Sequence, residues 1–127
     1  MVVNASKCSV ITFARKKSLI QFPYEINGSV LDRVTSIKDL GIMLDSQLTF
    51  KNHVSYVVTK SSKCLGFLFR ITKTFKNIHC LKALYFSLVR STLEYAPIVW
   101  APFYQNSIER LEKNLRKFVK FALRNLA

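Results

Sequence analysis

Along the first third of the chain, apolar residues alternate with polar ones or gather in short β-branched runs; from about residue 50 their spacing lengthens to three and four. Residues 9–14, Ser-Val-Ile-Thr-Phe-Ala, have strand composition and are closed by Arg15-Lys16-Lys17. Residues 22–26 and 29–34 flank Asn27-Gly28, a pair that tolerates both positive φ angles of a type I′ turn, so a hairpin is expected there. A further run, 37–44, carries Ile37, Leu40, Ile42 and Leu44, with Gly41 inside it. A glycine within a strand predicts a bulge or a close approach of another backbone.

The longer period predicts three helices. Over residues 50–74, Val54, Val57, Val58, Ser61, Leu65, Leu68 and Phe69 form one stripe, and Ser46 or Thr49 is a candidate cap. Over residues 78–95 the inner positions are Leu81, Leu84, Tyr85, Leu88 and Leu93. Pro97 ends that helix and opens an extended connector, 97–102. The third helix, 106–125, has Asn106 or Ser107 as its cap and Glu109 in its first turn. On it Ile108, Leu111, Leu115, Phe118 and Ala122 cluster on one side, and Arg110, Lys113, Lys117, Lys120 and Arg124 on the other. The fold class is therefore α+β: a small antiparallel sheet or hairpin over residues 9–44, then three helices. The expected division is a β segment, 1–45, and a helical segment, 46–127, together forming one incomplete domain.

Composition narrows the function. Half of the 127 residues are apolar, which argues against disorder, and 20 Lys and Arg stand against 7 Asp and Glu, a net charge of +13. Such a surface repels itself unless a polyanion neutralises it, and nucleic acid is the first candidate, an anionic membrane surface the second. Cys8, Cys64 and Cys80 are too few and too scattered for a zinc site with His53 and His79, so no metal ligand set is expected; they read as reduced, mostly buried thiols. No run reaches the roughly 18 apolar residues of a membrane span, and the start lacks a secretory signal, so an intracellular protein, nuclear or cytoplasmic, is expected. The acids are scattered singly, leaving no adjacent pair for two catalytic Mg²⁺ ions, and there is no glycine-rich phosphate loop.

Five blocks in order resemble one family. Asn4-Ala5-Ser6-Lys7-Cys8 followed by Val10-Ile11-Thr12-Phe13 is similar to the segment after the catalytic strand in reverse transcriptases of non-LTR retrotransposons, the jockey-like elements above all. Ser36-Ile37-Lys38-Asp39-Leu40-Gly41-Ile42-Met43-Leu44-Asp45, then Leu48-Thr49-Phe50-Lys51-Asn52-His53-Val54, resembles the block that follows. Residues 84–95 and Val99-Trp100-Ala101-Pro102 resemble the region after the thumb, and Ile108-Glu109-Arg110-Leu111-Glu112-Lys113 resembles the helix that follows it.

The resemblance implies a primer-grip-like β segment and thumb-like helices that follow a template–primer duplex of RNA and DNA. It also implies that the catalytic Tyr-x-Asp-Asp, the palm and the fingers lie upstream, outside this chain. The intact enzyme would use Mg²⁺; this chain is expected to hold no cofactor and not to polymerise alone. Arg15, Lys16, Lys17, Lys38, Gly41, Lys63 and Arg70, with Arg110, Lys113, Lys117, Lys120 and Arg124, are the candidate nucleic-acid contacts. Trp100 and Tyr104 could stack on a base but read mainly as packing residues, and His53 as a structural hydrogen-bonding residue. The alternative reading is a free-standing basic module that binds nucleic acid or an anionic membrane surface.

Overall fold

The computed structural model describes residues 2–126. It has the expected α+β composition and forms two compact units, one ending at Phe50 and one beginning at Lys51.

The first unit contains three two-stranded ladders: β1 (Ser9–Ile11) with β4 (Asp32–Val34), β2 (Glu25–Ile26) with β3 (Ser29–Val30), and β5 (Ser36–Asp39) with β6 (Ile42–Asp45). The β2–β3 hairpin turns at Asn27 and Gly28, with φ of 52° and 76°, as the dipeptide predicts. The β1–β4 ladder is parallel, which the expected antiparallel sheet does not include; Ser9 lies opposite Asp32 and Ile11 opposite Val34. Arg33 holds this region together. Its guanidinium donates to the Thr12 hydroxyl and, at 3.0 Å, to the Phe22 carbonyl.

Gly41 does not form a bulge in one long strand. The run 37–44 folds back at Leu40 and Gly41, both at positive φ (46° and 84°), and Asp39 faces Ile42. Glycine accepts that conformation without the Cβ clash that other residues meet. It therefore supplies half of a two-residue hairpin turn. Ile42 is buried, whereas Phe13, Ile20, Phe22, Tyr24 and Leu40 are exposed, so the apolar core of this unit is sparse.

At the end of β6, the Asp45 carboxylate accepts hydrogen bonds from the Thr49 amide (3.0 Å), the Thr49 hydroxyl (3.0 Å) and the Phe50 amide (2.8 Å). Asp45, rather than Ser46 or Thr49, organises this turn. Burial pushes its pKa up, but the hydrogen bonds from Thr49, Phe50 and Gln47 outweigh burial and leave it below the ordinary 3.8. A depressed carboxyl pKa stabilises the fold fully above the unfolded value, and the contribution fades as pH falls through the folded one. Asp45→Asn should therefore lower the stability of this unit at pH 7 and narrow the gap to wild type below about pH 3.8; acid titration followed by hydrogen exchange of the Thr49 and Phe50 amides tests this.

The second unit is helical: α1 (Lys51–Ile71), α2 (Ile78–Tyr85), a π-helical turn (Phe86–Arg90), α3 (Ser91–Leu93), α4 (Pro97–Trp100) and α5 (Gln105–Leu126). Asn77 caps α2, its side chain accepting from the amides of His79 and Cys80. The π turn adds a residue to the helical repeat, and Val89 becomes the fully buried position while Leu88 is only half-buried. Pro97 does not open an extended connector. The chain breaks at Ala96, in the left-handed region (φ 47°), and Pro97 starts a new turn. Proline suits a first helical position, where its missing N–H leaves no bond unmade.

Leu65, Leu68, Leu81, Tyr85, Val89, Phe118 and Ala122 form the core. The Tyr85 and Phe118 rings stack at 4.1 Å, and those of Phe69 and Phe121 at 4.2 Å. Leu115, expected to face inward, is half exposed, and its neighbour Asn114 is buried instead. The reason is polar: Asn114 Nδ2 donates to Ser61 Oγ (2.7 Å), and Ser62 Oγ donates to Asn114 Oδ1 (3.0 Å). Burial of an amide costs little when both its ends are satisfied. Leu115 and Val119 are left lining a groove of about 520 Å³ with Phe86 and Leu93. Of the three thiols, Cys80 is exposed and Cys8 and Cys64 are half-buried, so the expectation that they are mostly buried does not hold.

Candidate nucleic-acid interface

Fourteen of the 20 cations, but only three of the seven acids, lie at or after Lys51. Where the helices put them follows from three contacts that α5 makes with α1 and with Thr72, the residue after it. Arg110 Nη1 donates to Ser55 Oγ (3.2 Å), Ser62 meets Asn114, and Asn125 Nδ2 donates to the Thr72 carbonyl (3.4 Å). The partners rise along both helices together, so α1 and α5 run parallel.

Phe118 and Ala122 mark the side of α5 turned toward the core. With about 100° between successive residues, Lys113, Lys117, Lys120 and Arg124 fall on the outer side of α5, away from α2. The same construction on α1, oriented by buried Leu65 and Leu68 and by the contacts of Ser55 and Ser62, brings Lys63 and Arg70 to that outer side. All six are exposed. Arg110 stands where the two helices meet. The tertiary structure thus gathers all seven helical candidates on one face.

That face is poorly neutralised. The α1 sequence contains no Asp or Glu. On α5, Glu112 pairs with Arg116 at 2.8 Å, and Glu109 accepts from Gln105 at 3.4 Å. Glu94 is engaged by Arg90 at 2.6 Å. Exposed cations that outnumber the carboxylates beside them can take phosphate oxygens at little desolvation cost and release counterions as they do.

The remaining candidates belong to the first unit. Arg15, Lys16 and Lys17 form an exposed bend after β1, Lys38 is an exposed β5 residue opposite Met43, and Gly41 lies in the β5–β6 turn. Gly41 is exposed, so its backbone is accessible from solvent.

Trp100 is buried and packs edge-on against His53 with ring centroids 4.9 Å apart, so it is a packing residue and not a stacking surface. His53 is itself buried in that contact. Two features were not legible in the sequence. Lys51 Nζ sits 5.3 Å from the centre of the Tyr104 ring, a cation–π distance. Phe103 and Ile98, flanking the anchored Trp100, stand almost wholly in solvent. Helical periodicity carries no signal for either, because both depend on how the short α4 turn is seated.

Comparison with known proteins gives one informative similarity. Over 54 residues, 42% of this chain, the sequence is 39% identical to the RNA-directed DNA polymerase from mobile element jockey of Drosophila funebris. The matched stretch spans only 6% of that relative's length. No family model matches the chain, and no solved structure matches it. The similarity supports a relation between this stretch and retrotransposon reverse transcriptases.

Proposed function

We propose that this chain is a duplex-cradling part of a retrotransposon RNA-directed DNA polymerase, gripping the phosphate backbones of a template–primer hybrid through the outer face of α1 and α5. The observation that carries this reading is the convergence of Lys63, Arg70, Arg110, Lys113, Lys117, Lys120 and Arg124 on one side of a helix pair in which α1 has no acid and α5 has only Glu109 and Glu112. The partial similarity to the jockey polymerase supplies the class of ligand. Binding is by charge and shape, without base readout, since the face presents long cationic side chains rather than a groove-reading element.

The chemistry of polymerisation lies with other segments. The acids here are single and dispersed, so this chain supplies grip and positioning, and Mg²⁺ enters only through the polymerase it would serve. Arg15–Lys17, Lys38 and Gly41 are assigned to a primer-grip-like region of the first unit.

The test is fluorescence anisotropy with a labelled RNA–DNA hybrid at several salt concentrations. Six or seven phosphate contacts predict a log–log salt slope of about −5 to −6. A slope near zero, or binding to anionic vesicles but not to hybrid, would falsify the assignment.

A further inference from the structure

We infer that Phe103 and Tyr104 form a stacking platform for an unpaired nucleobase at the N-terminal end of the α1–α5 cationic face. The inference rests on the nucleic-acid reading above and adds to it a site that charge alone does not provide.

The starting point is exposure. Phe103 is 98% exposed and Ile98 94%, while Trp100 between them is 2% exposed. The contrast is built in. Trp100 is seated against His53, and its Nε1 donates to the Tyr95 carbonyl at 2.7 Å. The Ala101 amide closes the α4 turn on the Pro97 carbonyl at 2.9 Å. With Trp100 held inward, the residues on either side are carried outward on a short, braced segment. An aromatic ring presented this way is apolar surface awaiting a cover.

Its neighbours say what cover fits. The Tyr104 carbonyl accepts from the amides of Ser107 (3.0 Å) and Ile108 (3.2 Å), which ties this residue to the first turn of α5. The Tyr104 ring is half exposed, and Lys51 Nζ stands 5.3 Å from its centre. Arg110, the first cation of the α5 row, follows within two turns. A tyrosine beside a lysine, with an exposed phenylalanine next to it in the chain and Arg110 in the second turn of the helix that follows, has the two parts of a single-strand site: a π-face for the base and charge for the backbone. Bases inside a duplex are already stacked on one another, so the ligand must be a nucleotide beyond the paired region.

The experiment uses the whole chain and two hybrids, one blunt and one with a single-stranded extension whose first unpaired base is 2-aminopurine. The expected result is quenching of 2-aminopurine on binding. Phe103→Ala should weaken binding of the extended hybrid about tenfold while leaving the blunt hybrid within about twofold. Phe103→Trp should retain both quenching and affinity. Equal losses on both hybrids, no loss on either, or a Phe103→Ala defect confined to lipid vesicles would overturn the inference. Intact salt-dependent binding without a preference for the extension would sink only this site; absence of hybrid binding by the wild type would remove the duplex reading with it.

Discussion

Replacing Lys113, Lys117 and Lys120 together by alanine is expected to flatten the salt dependence of hybrid binding by about 2.7 in log–log slope, three phosphate contacts at about 0.9 each. Between 50 and 200 mM salt, that difference amounts to about fortyfold less sensitivity. Affinity at low salt should fall by a comparable order, and equally for all base sequences, because backbone contacts position a duplex without reading it. The three side chains are exposed, and none lies in the core, so thermal stability should not fall. Removing like charge from a chain of net +13 is, if anything, stabilising. Anisotropy across a salt series, beside a melting curve, separates the two effects. An unchanged slope with reduced affinity would show that these lysines act through the fold and not through phosphate. The control is Arg116→Ala, which removes a cation already paired with Glu112 and should change the slope less than any single lysine of the row.

Leu68→Ala is expected to have the largest effect on stability, about 2–5 kcal/mol. Leu68 is fully buried at the centre of the cluster formed by Leu65, Leu81, Tyr85, Val89, Phe118 and Ala122. Truncation loses the transfer energy of the removed methyls and leaves a cavity that stacked Tyr85 and Phe118 are poorly placed to fill. Small domains have total stabilities of roughly 5–15 kcal/mol, so this one change should unfold a large fraction of the helical unit at physiological temperature. Hybrid binding should fall in step, because the cationic face exists only while α1 and α5 are held side by side. Urea denaturation followed by helical circular dichroism gives the stability, and binding measured at low temperature, where the variant is folded, gives the remainder. Retained binding by a chain shown to be unfolded would mean that charge alone suffices and that the parallel helix pair is irrelevant to function.

How much of this was legible beforehand differs from element to element. The period-three-and-four stripe of α1, the turn at Asn27-Gly28 and the cationic row of α5 are local properties, set by helical geometry and by the φ angles that particular residues tolerate. The sequence by itself therefore determined the fold class, the approximate helices and the identity of the α5 cations. It erred where a local signal had two outlets. Gly41 serves a bulge or a turn equally well, and the pairing of β5 with β6 chose the turn. Pro97 ends one helix or begins another, and the left-handed Ala96 made it a beginning. Leu115 yielded the buried position to Asn114 because two serines on α1 satisfied the amide, a partnership between residues more than fifty positions apart. Only the tertiary structure decided that Lys63 and Arg70 share a face with the α5 row, and that Phe103 stands out beside it. Both follow from the parallel seating of α1 on α5 and of Trp100 on α1. Such long-range contacts leave no periodic trace in the chain, because each is fixed by where a distant side chain finds its partner.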